Sequence, residues 1–262
     1  MKLISSKDNS IIKQLVRLLS SKKERNDKGL FVVEGVRLCH EMAKCLVEIE
    51  NTFVTEKCRN KFEKEVQFIL NKSQEALEIT DAIADKISET KTAQGIFCLC
   101  KIPNRNNEIK ENGNYIMLCS LQDPGNIGTI IRTCDAFKTD GLIMTEDCPD
   151  IYSPKLLRST MGTVFRTDIK IFKNAEEACE KLKKSGIKIY AAALKDNSKS
   201  ITEFDLSHNA CVMIGNEGNG LKEEEIALAD ESIIIPMNEA SESLNAGIAA
   251  SVFAWEMFRG KI

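Results

Sequence analysis

Two charged side chains in this sequence stand in settings that suit chemistry rather than solvation. The first is Arg132, within Leu121-Gln-Asp-Pro-Gly-Asn-Ile-Gly-Thr-Ile-Ile-Arg-Thr-Cys-Asp-Ala-Phe137. Pro124-Gly125 forms a turn, and Asn126 suits the N-cap of a helix. Ile127, Ile130, Ile131, Cys134 and Phe137 then recur on one apolar face, and Arg132 points away from it. Gly128, one turn earlier, has no side chain, so the backbone below Arg132 is bare and leaves room for an anionic or ribose ligand. The competing reading is an ion pair between Arg132 and Asp135 at i+3. The second side chain is Glu217, in Ile214-Gly-Asn-Glu-Gly-Asn-Gly-Leu221, where three glycines let the backbone approach a ligand or take positive φ. This loop is neither a P-loop nor Gly-x-Gly-x-x-Gly, and as a lone glycine-rich turn it carries little.

A third stretch, Ile235-Pro-Met-Asn-Glu-Ala-Ser-Glu-Ser-Leu-Asn-Ala-Gly247, leads into a helix through Phe258. Leu244, Ile248, Val252 and Trp255 share one stripe of that helix. Ala246, Gly247, Ala249, Ala250 and Ser251 are small enough to admit another backbone. Domain core and subunit interface both explain such a helix.

Something must hold these loops together. Short apolar runs fit strands at Tyr115–Cys119, Gly141–Met144, Ile187–Ala193, Cys211–Ile214 and Ser232–Ile235, with amphipathic helices between them. That alternation argues for a parallel α/β sheet covered on both faces, whose ligands bind beyond the C-terminal strand ends. The first third of the chain also mixes helices and strands. Ser10–Leu19 and Val36–Leu46 have helical spacing, while Leu30–Val33, Asn51–Thr55 and Gly95–Cys100 read as short strands. Residues 103–114 are polar, with Pro, Asn and Gly, and read as a linker. The expected organisation is a smaller N-terminal α/β domain over 1–102, a linker over 103–114 and a C-terminal parallel-sheet α/β domain over 115–262.

The composition, 43% hydrophobic and 29% charged, is that of a globular protein. No apolar run is long enough to span a bilayer, and the N-terminus lacks a signal-peptide core, so a cytoplasmic protein is expected. Ten cysteines without a Cys-x-x-Cys pair and only two histidines, His40 and His208, argue against a metal site. The net charge of −3 is unevenly spread. Residues 1–110 carry 20 Lys/Arg against 16 Asp/Glu, and residues 111–262 carry 16 against 23. The Lys7–Lys28 run, with seven basic and three acidic residues, is either a solvated helix face or part of a nucleic-acid footprint.

Taken together, Asp-Pro-Gly-Asn-Ile-Gly-Thr-Ile-Ile-Arg-Thr, Gly-Asn-Glu-Gly-Asn-Gly-Leu, and Ile-Pro-Met followed by Glu-Ser-Leu-Asn-Ala-Gly-Ile-Ala-Ala resemble the three signature motifs of the SpoU (TrmH-type) RNA methyltransferases. They occur in order over about 130 residues at strand-to-loop junctions. Lys22-Lys-Glu-Arg25 with Gly29-Leu-Phe-Val-Val-Glu-Gly-Val-Arg37 resembles the substrate-binding domain that many members carry.

The resemblance implies what pattern alone does not. It implies a trefoil knot in the C-terminal domain, a homodimer with the site near the interface, and S-adenosylmethionine bent in the knot. Matched by position, the cofactor contacts fall on Leu194, Gly215, Ile235 and Leu244, largely through backbone groups. The polar site residues fall on Asn126, Arg132, Glu217, Ser243 and Asn245. The implied reaction is methyl transfer to a ribose 2′-oxygen of RNA, with ribosomal RNA placed before transfer RNA because of the extra N-terminal domain. Arg132 either binds the adjacent phosphate and stabilises the alkoxide, or acts as base; the pKa shift a guanidinium base needs favours the first. Asn126 and Asn245 are expected to orient the ribose and Arg132, and Glu217 to fix its loop or Arg132. Ser243 either bonds substrate or caps the last helix. The stretch 238–242 is more acidic than in many members. Two rivals remain at this stage: a transfer-RNA methyltransferase, and a catalytically silent RNA-binding protein of the same fold. A nucleotide-dependent dehydrogenase lacks its phosphate fingerprint here.

Overall fold

A computed structural model describes the chain except residues 91, 196, 197, 239–242, 261 and 262. The described residues form two compact units. One comprises Met1–Asn104 with Asp150–Phe165, the other Arg105–Pro149 with Arg166–Ile262.

The first unit runs β1 (Lys2–Ile4), α1 (Ser10–Ser20), α2 (Lys22–Lys28), β2 (Leu30–Glu34), α3 (Val36–Ala43), β3 (Ile49–Val54), α4 (Glu56–Lys61), α5 (Glu63–Leu70), β4 (Ser73–Ile79), α6 (Asp81–Ile87) and β5 (Ile96–Lys101). Its sheet has the order β1-β4-β3-β5-β2. β1, β4 and β3 are parallel, and β5 is antiparallel to both neighbours. Helix α1 starts at Asn9, whose side chain accepts from the Ile11 N–H, and it buries Ile12, Leu15, Leu18 and Leu19 against Phe53, Leu77, Phe97 and Leu99. Helix α3 stops at Ala43, short of the helical spacing read to Leu46, and Leu46 is fully exposed.

The basic run Lys7–Lys28 spans α1 and α2, and one of its cations has a structural role. Arg25 is 4% exposed. Its Nε donates to Asp150 Oδ2 at 2.6 Å, and its Nη1 donates to the Leu18 and Leu19 carbonyls. Removing Asp150 would strand a buried guanidinium, at a cost of about 3–5 kcal/mol.

The second unit opens with β6 (Asn114–Leu118), α7 (Pro124–Ala136) and β7 (Gly141–Thr145). The chain then re-enters the first unit over Asp150–Phe165, which carries α8 (Pro154–Thr160). There the Phe31 ring meets Tyr152 at 4.5 Å and Phe165 at 6.2 Å, centroid to centroid. The second unit resumes with β8 (Ile169–Phe172), α9 (Ala175–Lys184), β9 (Lys188–Ala192), β10 (Lys199–Ser200), β11 (Ala210–Ile214), α10 (Glu223–Ile226), β12 (Glu231–Ile234) and α11 (Ala246–Arg259). Its sheet order is β10-β12-β9-β11-β6-β7-β8, and every pairing is parallel. β6, β7 and β11 are buried along their whole length, as strands covered on both faces must be.

The polar stretch 103–114, composed like a linker, is tied along this sheet. Asn107 Nδ2 donates to the Ile171 carbonyl at 2.6 Å, and its Oδ1 accepts from the Ile171 N–H at 3.3 Å. Arg105 Nη1 donates to the Ile169 carbonyl. Side chains thus cover backbone groups on the open edge of β8, which would otherwise invite another strand. Asn114 is fully buried, donating to the Leu206 and Ser207 carbonyls and accepting from the Ala210 N–H. No helix among the described residues is long and apolar enough to cross a membrane.

Candidate active site

The C-terminal ends of β6, β11 and β12 release the three loops singled out by composition. The first starts α7 differently from expectation. Asp123 is the N-cap, accepting from the Gly125 N–H at 3.0 Å, and Pro124 takes the first helical position, where its missing N–H costs nothing. Asn126 is therefore inside the first turn, and its amide is free for other partners.

Those partners come from the other two loops. Glu217 Oε1 accepts from the Asp123 N–H and from Asn126 Nδ2, both at 3.0 Å, and its Oε2 accepts from the Gln122 N–H at 3.1 Å. Asn126 Oδ1 accepts from Asn245 Nδ2 at 2.9 Å. Asn245 Oδ1 in turn accepts from the Gly247 and Ile248 N–H groups as the N-cap of α11. The polarity of this chain is fixed from one end. A carboxylate only accepts, so Asn126 must present its NH2 to Glu217 and its oxygen to Asn245, whose oxygen is left for the helix. Partial burial pushes the Glu217 carboxyl up, but the bonds from Asn126 and the Asp123 and Gln122 backbone outweigh it and hold the group below the usual carboxylate range. Glu217 thus fixes the loops and makes no bond to Arg132. Asn245, not Ser243, caps the last helix.

The second loop folds back on itself. The Asn216 N–H donates to the Gly220 carbonyl at 3.0 Å and the Gly220 N–H to the Asn216 carbonyl at 2.8 Å. A Cβ at Gly215 would lie 2.1 Å from the Gly220 carbonyl carbon, so only glycine permits the closure. Beneath the loops lies a cavity of about 630 Å³. Its walls are apolar at Ala192, Ile214, Leu221, Ile233 and Phe253, and Leu194, Gly215, Ile235 and Leu244 all line it, with Glu217, Ser243 and Asn245. Leu194 and Leu244 are 61% and 37% exposed.

Arg132 and Asn126 are not among the residues lining the cavity. Arg132 is exposed on α7 and makes no hydrogen bond or ion pair among the described residues. Asp135 is engaged elsewhere, in a bidentate pair with Arg166 at 2.8–3.1 Å. Gly128 is buried, so the bare backbone expected below Arg132 is covered. The acidic stretch 238–242 falls mostly on residues outside those described. Composition gave no sign of Asp147, which follows β7 and accepts from Ser120 Oγ and Thr145 Oγ1. Burial pushes its carboxyl up, and these hydroxyl bonds more than reverse the shift. Gln122 Nε2 and Asn216 Nδ2 both reach the Ser120 carbonyl, so this turn joins the first two loops from behind. Ser120, at φ 55°, is a lone left-handed residue after a strand, and nothing in its type announces it.

Residues 113–255 match the model of the SpoU rRNA Methylase family. The chain belongs to that family. Residues 9–98 match an MRM3-like substrate binding domain. Among relatives of this SpoU methylase, a 23S rRNA (guanosine(2553)-2′-O)-methyltransferase of Bacillus subtilis is 28% identical over 98% of this chain and 99% of its own. A tRNA (guanosine(18)-2′-O)-methyltransferase of Thermus thermophilus is 31% identical over 56% of this chain and 75% of its own. An rRNA methyltransferase from Sinorhizobium meliloti, crystallised with AdoMet bound, superposes with a TM-score of 0.86 at 26% identity, covering 100% of this chain and 98% of that one. The catalytic-family match contains all three loops, and the cavity of this SpoU methylase lies wholly within that match.

Proposed function

We propose that this chain is an S-adenosylmethionine-dependent methyltransferase acting on a ribose 2′-hydroxyl of ribosomal RNA. The observation that carries the reading is the hydrogen-bonded chain Glu217–Asn126–Asn245, which ties the three loops together over an apolar cavity. The cavity suits the cofactor. Its apolar floor fits a flat, neutral adenine, its size is in the range of small-molecule sites, and Leu194 and Leu244 are exposed where a ligand would cover them. Leu194, Gly215, Ile235 and Leu244 would hold it. When bound, it supplies an electrophilic methyl group on sulfur.

The chain's own residues supply the rest. The 2′-oxygen would gain the methyl as the carbon–sulfur bond breaks to leave a neutral thioether, and its proton would pass to water; negative charge develops on the oxygen as it attacks. Both oxygens of Glu217 are taken by donors, which leaves it as a positioning residue rather than a base. Guanidinium groups stay protonated, so Arg132, without a partner among the described residues, is assigned to the neighbouring phosphate and the developing alkoxide. Asn126 and Asn245 hold the ribose relative to it, and Ser243 is left as a substrate contact.

Ribosomal RNA is favoured over transfer RNA because the relative matching both units acts on 23S rRNA, whereas the Thermus relative covers just over half of the chain. A homodimer belongs to the same proposal. Leu244 precedes α11 and lines the cavity, but Ile248 and Trp255 on the helix are 54% and 39% exposed, while Ala250, Phe253, Ala254 and Met257 form the buried face. The trefoil knot and a cytoplasmic location, where ten free cysteines stay reduced, complete the proposal.

The test is transfer of labelled methyl from S-adenosylmethionine to total ribosomal and transfer RNA, with mapping of the product. Label in ribosomal RNA at one site resistant to alkaline cleavage is expected. Arg132→Ala should abolish transfer and leave cofactor affinity intact. Label on a base would defeat the ribose reading, and no label despite cofactor binding would favour a silent RNA-binding protein.

A further inference from the structure

A second cavity, of about 350 Å³, lies within the first unit. Gly35, Arg37 and Leu38 at the start of α3, Gln94, and Arg158 and Met161 at the end of α8 are among its walls. Two of the wall residues are arginines. Arg158 Nη1 is buried and has no hydrogen-bond partner among the described residues, while Nη2 reaches Glu89 only at 3.5 Å. A buried guanidinium nitrogen left unpaired is costly, and such a group marks a place where an acceptor belongs. Arg37 is exposed and has no hydrogen bond or ion pair among the described residues.

The start of α3 adds to these. Gly35 is its N-cap and offers no side-chain oxygen. Gln94 Oε1 accepts from the Val36 N–H at 2.8 Å, and the next two N–H groups, of the wall residues Arg37 and Leu38, have no acceptor among the described residues. Glu34 also lines the cavity, but its carboxylate is consumed by Ser88 Oγ, the Glu89 N–H and Thr90 Oγ1. Met161 holds a left-handed conformation, φ 54°, at the end of α8. Strain in a non-glycine residue at a cavity wall is a common companion of a binding site.

We propose that this cavity takes one phosphate of the RNA strand, held by Arg37, Arg158 and the Arg37 and Leu38 N–H groups. The proposal rests on the RNA-methyltransferase reading and places an RNA contact outside the basic run Lys7–Lys28. Two guanidiniums and a helix N-terminus are the donor set that phosphate oxygens match.

The test measures binding of the full chain to total ribosomal RNA between 50 and 200 mM salt. The Arg37→Gln/Arg158→Gln double variant should lower the magnitude of the log–log salt slope by roughly 0.7–0.9, one phosphate's worth, and weaken binding by on the order of tenfold. Affinity for S-adenosylmethionine should not change. Arg37→Gln alone breaks no hydrogen bond or ion pair among the described residues, so it carries the test if the double variant folds poorly; it should weaken binding several-fold and lower the slope. Lys64→Gln, a charge-matched change on α5, should leave the slope alone. Wild-type RNA binding with an unaltered slope in both Arg37 variants would overturn the phosphate site and leave the methyltransferase reading standing. Failure of the wild type to bind or methylate RNA would sink both.

Discussion

Gly215→Ala is the substitution whose effect follows most directly from geometry. The added Cβ would sit 2.1 Å from the Gly220 carbonyl carbon and 2.2 Å from the Leu221 nitrogen, both backbone atoms, so no side chain can swing aside. The return strand of the loop must retreat by on the order of 1 Å to reach an ordinary contact distance. That movement breaks the two backbone hydrogen bonds between Asn216 and Gly220. At about 0.5–1.5 kcal/mol each, the loss is about 1–3 kcal/mol. Gly215 lines the cavity, so if the whole cost falls on the ligand, S-adenosylmethionine affinity drops roughly 5- to 150-fold. Isothermal titration calorimetry reads this directly. Gly218→Ala is the internal control: its Cβ would meet only Asn216 Oδ1, at 3.5 Å, and affinity should stay within about twofold of wild type, within ordinary surface-substitution effects. Wild-type affinity in Gly215→Ala, or equal losses in both variants, would refute the assignment of the closed loop to cofactor binding.

Three further outcomes follow from the same site. Glu217→Gln removes the group that fixes the direction of the Asn126–Asn245 chain, since a glutamine can donate as well as accept; methyl transfer should slow by about tenfold, one hydrogen bond's worth, with cofactor affinity little changed. The folded-state pKa of Glu217 is depressed, so its contribution to loop order is complete above the unfolded carboxylate value of about 4.3 and disappears as pH falls through the lower folded value. An acid titration followed by amide chemical shifts of Gln122 and Asp123 should show that transition in the wild type and lose it in Glu217→Gln. Ile248→Glu places a charge in the exposed stripe of α11, and sedimentation should show a monomer where the wild type is a dimer; a monomeric wild type would remove the dimer from the proposal.

The sequence was most legible where one physical constraint acts alone. Strands β6, β7 and β11 are apolar runs buried along their whole length, β9 is buried at Ile189, Tyr190 and Ala191 and β12 at Ile233, and each lies within a residue or two of the stretch read from sequence. β4, with the sequence Ser-Gln-Glu-Ala-Leu-Glu-Ile, buries only Leu77 and Ile79 and looks like a polar helix or loop. β8 and β10 are four and two residues long, too short to show a period. At the site, the loops could be picked out by their glycines and prolines, but not their wiring. Asn126 reads as a cap because Asn is a good one; Asp123 takes that place because the proline after it fits the first helical position. The Arg132–Asp135 pair is plausible by spacing, and only the tertiary approach of Arg166 decides against it. The docking of 103–114 is invisible in composition, since the side-chain amide of Asn107 does there what a backbone would do.

The excursion of Asp150–Phe165 into the first unit bears on how such a gene can be divided. These residues lie inside the stretch matched to the methylase family, yet Phe31 packs against Tyr152 and Phe165, and Arg25 pairs with Asp150. No single cut therefore releases either unit whole. A fragment ending near residue 104 lacks the aromatic cover over Phe31, and one beginning there carries a stranded aromatic segment and an unpaired Asp150. The two family matches are separate along the chain but the two compact units are not, and loss of the N-terminal portion would require repair of a sixteen-residue stretch far downstream in the reading frame.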